Sequence, residues 1–409
     1  METISDIDVQ TSLAISHRAR EMQGSPIRKL AAAAEVRKKQ GIRVYHLNIG
    51  QPDLPTSPAV FDAIRKFDQK TIAYAPSNGL SPALTGWKTY FHHVGIEFDE
   101  KEMIVTTGGS EAIIMAMIAV CDAGDEIIVF EPFYTNYNGF ASIANVRLRP
   151  VPLSINNGFH LPPTKEIEPY ITTKTKAFIV NSPSNPTGTV YSRDEMQRIA
   201  DLATRHNLFV ISDEAYREFA YESKAVGIAE FPQLRQQAII VDSCSKRFNV
   251  CGARVGVIAS HNSDVIASAL KYGQARLSVA TIEQIAVVPL LNDPLPYTRP
   301  IVDEFRKRRD VVVKELKKMP GVISYNPEGA FYIVIGLPVG DAEKFSKWMI
   351  EEFELKNETV LVAPGQGFYA SPGKGINEVR LAFMLGIEDM KQSLTILGAA
   401  LKEYLRRVL

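Results

Sequence analysis

Four short segments of the chain gather residue types able to do nucleophilic or acid–base chemistry. Lys246 stands in Asp242-Ser243-Cys-Ser245-Lys246-Arg247-Phe-Asn-Val-Cys-Gly252-Ala-Arg254, which packs two hydroxyls, a lysine and an arginine close together. A basic run of this kind is usually a solvated loop, but this one lies between two apolar runs. A lysine amine becomes a nucleophile when burial or a nearby positive charge lowers its pKa. Asp213 ends the apolar run in Val210-Ile-Ser-Asp213-Glu-Ala-Tyr216. A carboxylate there is partly buried, which is costly unless something positive faces it. It either caps a following helix or faces a cationic ring nitrogen. In Asn181-Ser-Pro183-Ser-Asn185-Pro186-Thr-Gly188, two X-Pro steps and a glycine fix a rigid turn. That turn is either only a turn, or a mount holding the Asn185 amide still as a donor. Val105-Thr-Thr-Gly108-Gly109-Ser110 runs into a helical pattern. Its glycines let backbone approach a ligand, and free N–H groups at a helix start favour an anion. A plain strand-to-helix turn explains the same residues equally well.

These segments need a scaffold that brings them together. From about residue 100 to 260 the chain alternates apolar β-like runs with helical patterns. The runs are 103–106, 126–130, 147–153, 176–180, 208–212, 238–241 and 254–259. Most lack polar alternation, as strands covered on both faces do. Helical patterns at 111–120 and 193–206 lie between them, the second opened by Ser192 and Glu195 as a capping box. Strand–helix alternation predicts a mostly parallel α/β sheet, and ligands bind at the carboxyl ends of such strands. The flanks read differently. A helix at 27–39 ends near Gly41. A charged amphipathic helix at 298–320 stops at Pro320 and Gly321, followed by a strand at 331–335 and a helix at 342–353. The expected layout is an N-terminal segment 1–60, a large domain 61–297 and a C-terminal part 298–409, with both ends joined in a smaller domain.

Bulk properties narrow the function. The 409 residues carry 46 basic and 46 acidic side chains, so charge gives no reason to expect nucleic acid or an anionic membrane as partner. Cys121, Cys244 and Cys251 are too few for a disulfide framework and lack zinc spacing, which points to a reducing, cytoplasmic location. The N-terminus has no apolar core of a secretory signal, and the run from Ala112 to Cys121 is too short to span a bilayer. His92-His93 has no carboxylate partners at metal spacing, so no metal is expected. Gly365-Gln-Gly367 lacks the third glycine and following helix of a dinucleotide site.

Taken in order, from Leu47-Asn-Ile-Gly50-Gln-Pro-Asp53 to Asn377-Glu-Val-Arg380-Leu-Ala-Phe, these segments resemble the class I/II (fold type I) pyridoxal-phosphate-dependent aminotransferases, aspartate aminotransferases in particular. The resemblance implies pyridoxal 5′-phosphate (PLP) as cofactor and a fold with a mostly parallel seven-stranded sheet. It implies that Lys246 binds the cofactor and shuttles the proton, and that Asp213 pairs with the pyridinium nitrogen. Asn185 and Tyr216 match donors to the cofactor's phenolic oxygen. Gly109, Ser110, Ser243, Ser245 and Arg254 match its phosphate site. Tyr134 matches an aromatic ring stacked on the cofactor, with Phe133 beside it as a competitor. Arg380 and Gly50 match contacts to the substrate α-carboxylate, and Tyr74 a tyrosine reaching the neighbouring subunit's phosphate in a shared-site homodimer. Some aspartate-preferring relatives have a lysine where this chain has Ser110, and Arg276 is the candidate for a second carboxylate from the partner subunit. The resemblance implies amino-group transfer to a 2-oxo acid such as 2-oxoglutarate. A carbon–sulfur lyase or cyclase on the same fold is the alternative, and a non-catalytic PLP-binding regulator a more distant one.

Overall fold

The computed structural model describes residues 14–408. Its strands are β1 (Arg43–His46), β2 (Met103–Thr106), β3 (Glu126–Glu131), β4 (Arg147–Pro152), β5 (Thr175–Asn181), β6 (Phe209–Asp213), β7 (Ala238–Ser243), β8 (Gly256–Ala259), β9 (Tyr332–Gly336), β10 (Glu358–Leu361), β11 (Ala363–Pro364) and β12 (Glu378–Ala382). Seven form one sheet in the order β2-β8-β7-β6-β5-β3-β4. Only β8 runs against the others, being antiparallel to both neighbours. The predicted sheet is therefore the observed one.

The apolar runs lack alternation because helices cover both faces. Successive residues of β5 and β6 enter opposite cores: Phe178, Val180 and Val210 pack into one, Ala177, Ile179 and Ile211 into the other. Helix Gly108–Val120 is mostly apolar around its circumference and sits in the second core through Ala112, Ile113, Met115, Ala116 and Met117. Helix Arg193–His206 begins at the Ser192/Glu195 capping box read from sequence. Arg254 was expected to open the last strand, yet it takes a left-handed conformation (φ 53°) and β8 starts at Gly256. The left-handed turn breaks the extended backbone before the strand begins.

The two ends of the chain meet. β1 pairs in parallel with β10, and β11-β12-β9 form an antiparallel sheet. A separate core containing Phe305, Phe331, Phe345 and Leu397 lies beneath them. The helix expected over 27–39 is instead a 3-10 turn, Pro26–Arg28, followed by helix Ala31–Lys39. Pro26 fits the first position of such a turn, and Asn48 Nδ2 bonds the Ile27 carbonyl from outside. The amphipathic helix runs Leu295–Leu316, ending before Pro320. Among the described residues no helix is long and apolar enough to cross a membrane.

Candidate active site

Parallel strands β5, β6 and β7 end side by side, which sets Asn181 opposite Asp213. Asn181 ties the strand ends to the following turn. Its Nδ2 bonds the Asp213 carbonyl at 2.9 Å, and its Oδ1 accepts the Asn185 N–H at 2.7 Å. Asp213 itself is buried, with Oδ2 accepting the Tyr137 hydroxyl at 2.7 Å and Oδ1 the Ala215 N–H at 3.3 Å. Burial pushes its carboxyl up to about 6, against the pull of the Tyr137 hydrogen bond.

Beyond β7, Ser243 caps the short helix Cys244–Arg247 by accepting the Ser245 N–H, and its hydroxyl lies 2.8 Å from that of Ser245. Arg247 is fully buried against Asp242 and lies over the Tyr90 ring at 4.1 Å, which anchors the turn that carries Lys246. Lys246 Nζ donates to the Gly50 carbonyl at 2.9 Å and stands 3.9 Å from Cys251 Sγ. Gly50 has no room for a side chain, because a Cβ there would fall 1.8 Å from the Tyr332 hydroxyl oxygen.

Arg380 projects from β12 and is buried, held by Asn185 Oδ1 (3.0 Å) and the Asn48 carbonyl (2.6 Å). Its guanidinium lies 4.5 Å from the Tyr332 ring centre and 4.9 Å from that of Phe368. Burial lowers its proton affinity, but guanidinium remains a cation at any physiological pH. Because Arg380 occupies Asn185 Oδ1, the amide's Nδ2 is the atom that faces Tyr216, 3.5 Å away. The Tyr216 hydroxyl in turn lies 3.1 Å from that of Tyr332. Burial and the neighbouring Tyr332 raise the Tyr216 phenol well above its ordinary range.

Two cavities open onto these groups and share Tyr134, Asn185, Tyr216, Lys246 and Cys251 in their walls. The first, about 650 Å³, is also lined by Asp213, Gly109, Ser110, Ser243, Ser245 and Arg254. The second, about 1290 Å³, adds Gly50 and Arg380. Of the residues that the resemblance assigned to the site, Tyr74 and Arg276 line neither, and nor does Phe133, the competitor to Tyr134. Tyr74 is 83% exposed. In its own subunit Arg276 is engaged already, with Nε 3.3 Å from Glu111 and Nη2 bonded to the Val105 and Ser77 carbonyls. Tyr134 lines both cavities, whereas Phe133 is buried and stacked on Tyr137.

Sequence reasoning passed over Tyr137, Asn48, Asn181 and Tyr332. Asn181 had a signal, since it ends a β run beside the Pro-rich turn. Tyr137 and Tyr332 sit among apolar residues and read as core.

The residues fit a ligand with a cationic ring and an anionic group. Asp213 is buried, and among the described residues no cation is hydrogen-bonded to it. At the other end of the first cavity, the first turn of a 13-residue helix, two serine hydroxyls and Arg254 form an anion cradle. Arg254 approaches so closely that a Cβ on Gly108 would meet its Nη2 at 2.4 Å, and Gly108 also has a positive φ of 72°.

Comparison with known proteins agrees. The chain is 32% identical to the aspartate aminotransferase of Thermotoga maritima over 384 residues, 93% of this chain and 97% of that protein. It superposes on a double mutant of the Thermus thermophilus aspartate aminotransferase with a TM-score of 0.86, at 28% identity over 95% of this chain and all of the other. The alanine aminotransferase of Pyrococcus furiosus matches with a TM-score of 0.87, at 26% identity over 95% of this chain and all of the other. The fold is that of the fold type I PLP enzymes. Residues 42–393 match the model of aminotransferase class I and II, and the chain belongs to that family. It is a transaminase acting on amino and oxo acids, with PLP as its cofactor.

Proposed function

We propose that the enzyme moves the α-amino group of an L-amino acid, aspartate among them, to a 2-oxo acid such as 2-oxoglutarate. We further propose that it works as a cytoplasmic homodimer with shared active sites. The observation that carries the reading is the convergence of Lys246, Asp213 and Arg380 on two adjoining cavities with a common wall. The names of relatives such as that of Thermotoga maritima support aspartate as a donor.

In this reading the bound PLP supplies an electron sink for the charge left on the substrate α-carbon. Asp213 keeps the cofactor's ring nitrogen protonated, and that cation in turn relieves the cost of burying the carboxylate. Gly109 and Ser110 N–H groups, the Ser243 and Ser245 hydroxyls and Arg254 hold the phosphate. Asn185 and Tyr216 would donate to the phenolic oxygen, and Tyr134 would supply an aromatic contact to the ring. Arg380 grips the substrate α-carboxylate through its planar fork, with Gly50 beside it. Lys246 would hold the cofactor through its amine and, when not so engaged, would take up and return the proton at the substrate α-carbon. Tyr74 serves the partner's phosphate. Its 83% exposure, next to Ile72 at 63%, supports a surface that a second subunit covers.

The test is a panel of L-amino acids with 2-oxoglutarate and added PLP, run on the wild type and on Lys246→Ala. The wild type is expected to release one oxo acid for each glutamate formed, and the variant to bind PLP weakly without turnover. Release of ammonia and pyruvate in place of glutamate would overturn the reading, as would normal turnover by the variant.

A further inference from the structure

The wall of the larger cavity carries an exposed arginine with no ion-pair partner among the described residues. Arg28 ends the 3-10 turn Pro26–Arg28 and lines the same cavity as Arg380 and Lys246. Its neighbour Lys29 is ion-paired with Glu343, whereas Arg28 has no ion-pair partner among the described residues. Among the described residues no aspartate or glutamate lines this cavity. Cations gathered on a partly enclosed wall without counter-charges repel one another and attract anions, so the matching negative charge arrives with whatever binds.

The backbone of the turn carrying Arg28 is tied to Arg380, while the Arg28 side chain itself is exposed. Asn48 bonds the Ile27 carbonyl through Nδ2 at 2.9 Å, and its own carbonyl accepts Arg380 Nη2 at 2.6 Å. One asparagine therefore tethers the turn carrying Arg28 to the arginine proposed for the α-carboxylate. Pro26 secures the turn from the other side, packed so closely on Gly367 that a Cβ there would lie 2.2 Å from the proline ring. The substrate's first carboxylate belongs to Arg380 and the cofactor phosphate to the Arg254 end of the first cavity. A monocarboxylic substrate leaves Arg28 unmatched.

We propose that Arg28 is a specificity-determining residue that receives a second carboxylate, carried on the side chain of the amino donor or of the oxo acid. This rests on the aminotransferase reading above, with Arg380 as the anchor of the α-carboxylate. It assigns the distal carboxylate to this subunit's N-terminal turn rather than to Arg276, which is committed to Glu111 and two carbonyls.

The test compares wild-type, Arg28→Gln and Arg28→Lys holoenzymes in single-turnover half-reactions with L-aspartate, L-glutamate and L-alanine, followed by cofactor absorbance. A hydrogen bond to a charged group implies a fall of about 10- to 100-fold in the aspartate-to-alanine ratio of kcat/KM for Arg28→Gln. The loss falls mainly on half-saturation, and Arg28→Lys recovers part of it. Inhibition by succinate, which carries two carboxylates, weakens by a similar factor relative to propionate, which carries one. A ratio within about twofold of wild type, or equal weakening of succinate and propionate, overturns the proposal. A wild type that reacts with none of the three amino acids would instead sink the aminotransferase reading, and this inference with it.

Discussion

Replacing Asp213 by asparagine is expected to stabilise the cofactor-free enzyme at neutral pH while removing most of its activity. Burial raises the carboxyl from its ordinary 3.8 to about 6. Below pH 3.8 the folded and unfolded chains both hold the proton, and burial of the neutral acid costs no ionisation energy. As pH climbs from 3.8 towards 6, the unfolded chain releases its proton first and folding stability falls; above about 6 the loss is complete. At 1.36 kcal/mol per tenfold step, that gap is worth about 3 kcal/mol. Asparagine carries no charge and keeps an acceptor for Tyr137, but its amide nitrogen lacks a partner, which returns about 1–2 kcal/mol. The net gain at pH 8 is therefore about 1–2 kcal/mol, and by pH 5 the wild type has recovered about half of its 3 kcal/mol deficit. Urea denaturation of PLP-free protein at pH 8 and pH 5, at matched protein concentration, reads this directly. Added PLP reverses the order, since its ring cation rewards only the aspartate. Turnover by the variant drops by about 100-fold or more. A cofactor-free variant less stable than wild type at pH 8, or an advantage that does not shrink at pH 5, would refute the reasoning.

Gly50→Ala places a carbon 1.8 Å from the Tyr332 hydroxyl, so the backbone that accepts from Lys246 must move. Overpacking there is expected to cost about 1–3 kcal/mol in denaturation and about 10- to 100-fold in turnover; unchanged kinetics would remove Gly50 from the machinery. If Tyr74 serves the partner's site, co-expressing Tyr74→Ala with Lys246→Ala yields mixed dimers with one intact site. Turnover then exceeds that of either parent, and the absence of recovery would sink the shared site.

The large sheet was legible because strands covered on both faces leave long apolar runs. Those runs matched the true strands to within two residues at either end, the run 254–259 starting two residues before its strand. There a left-handed Arg254 breaks the backbone, and nothing in an arginine's chemistry announces that. The site residues at strand ends were legible for the same reason: a polar residue closing an apolar run is conspicuous. Tyr137 was not, because its role depends on meeting Asp213 from a different helix. The split of the 27–39 helix was also hidden, since the Ile27 carbonyl of its first turn bonds Asn48, which comes later in the chain just after β1. Arg276 looked available for a ligand because Glu111, far from it in sequence, could not be seen to hold it.

The parallel pairing of β1 with β10 has a consequence for how the enzyme matures. Arg43 stands beside Glu358, so β1 leaves the ribosome long before the strand it needs exists. Parallel partners this distant close slowly and leave an unsatisfied edge while they wait. Asn48 and Gly50 lie just downstream of β1, and Arg380 emerges later still. The large sheet can thus collapse during synthesis, while the walls of the substrate cavity assemble only near its end. A nascent chain released before β10 would carry both Lys246 and Gly50, but without the strand pairing that holds Gly50 against the lysine.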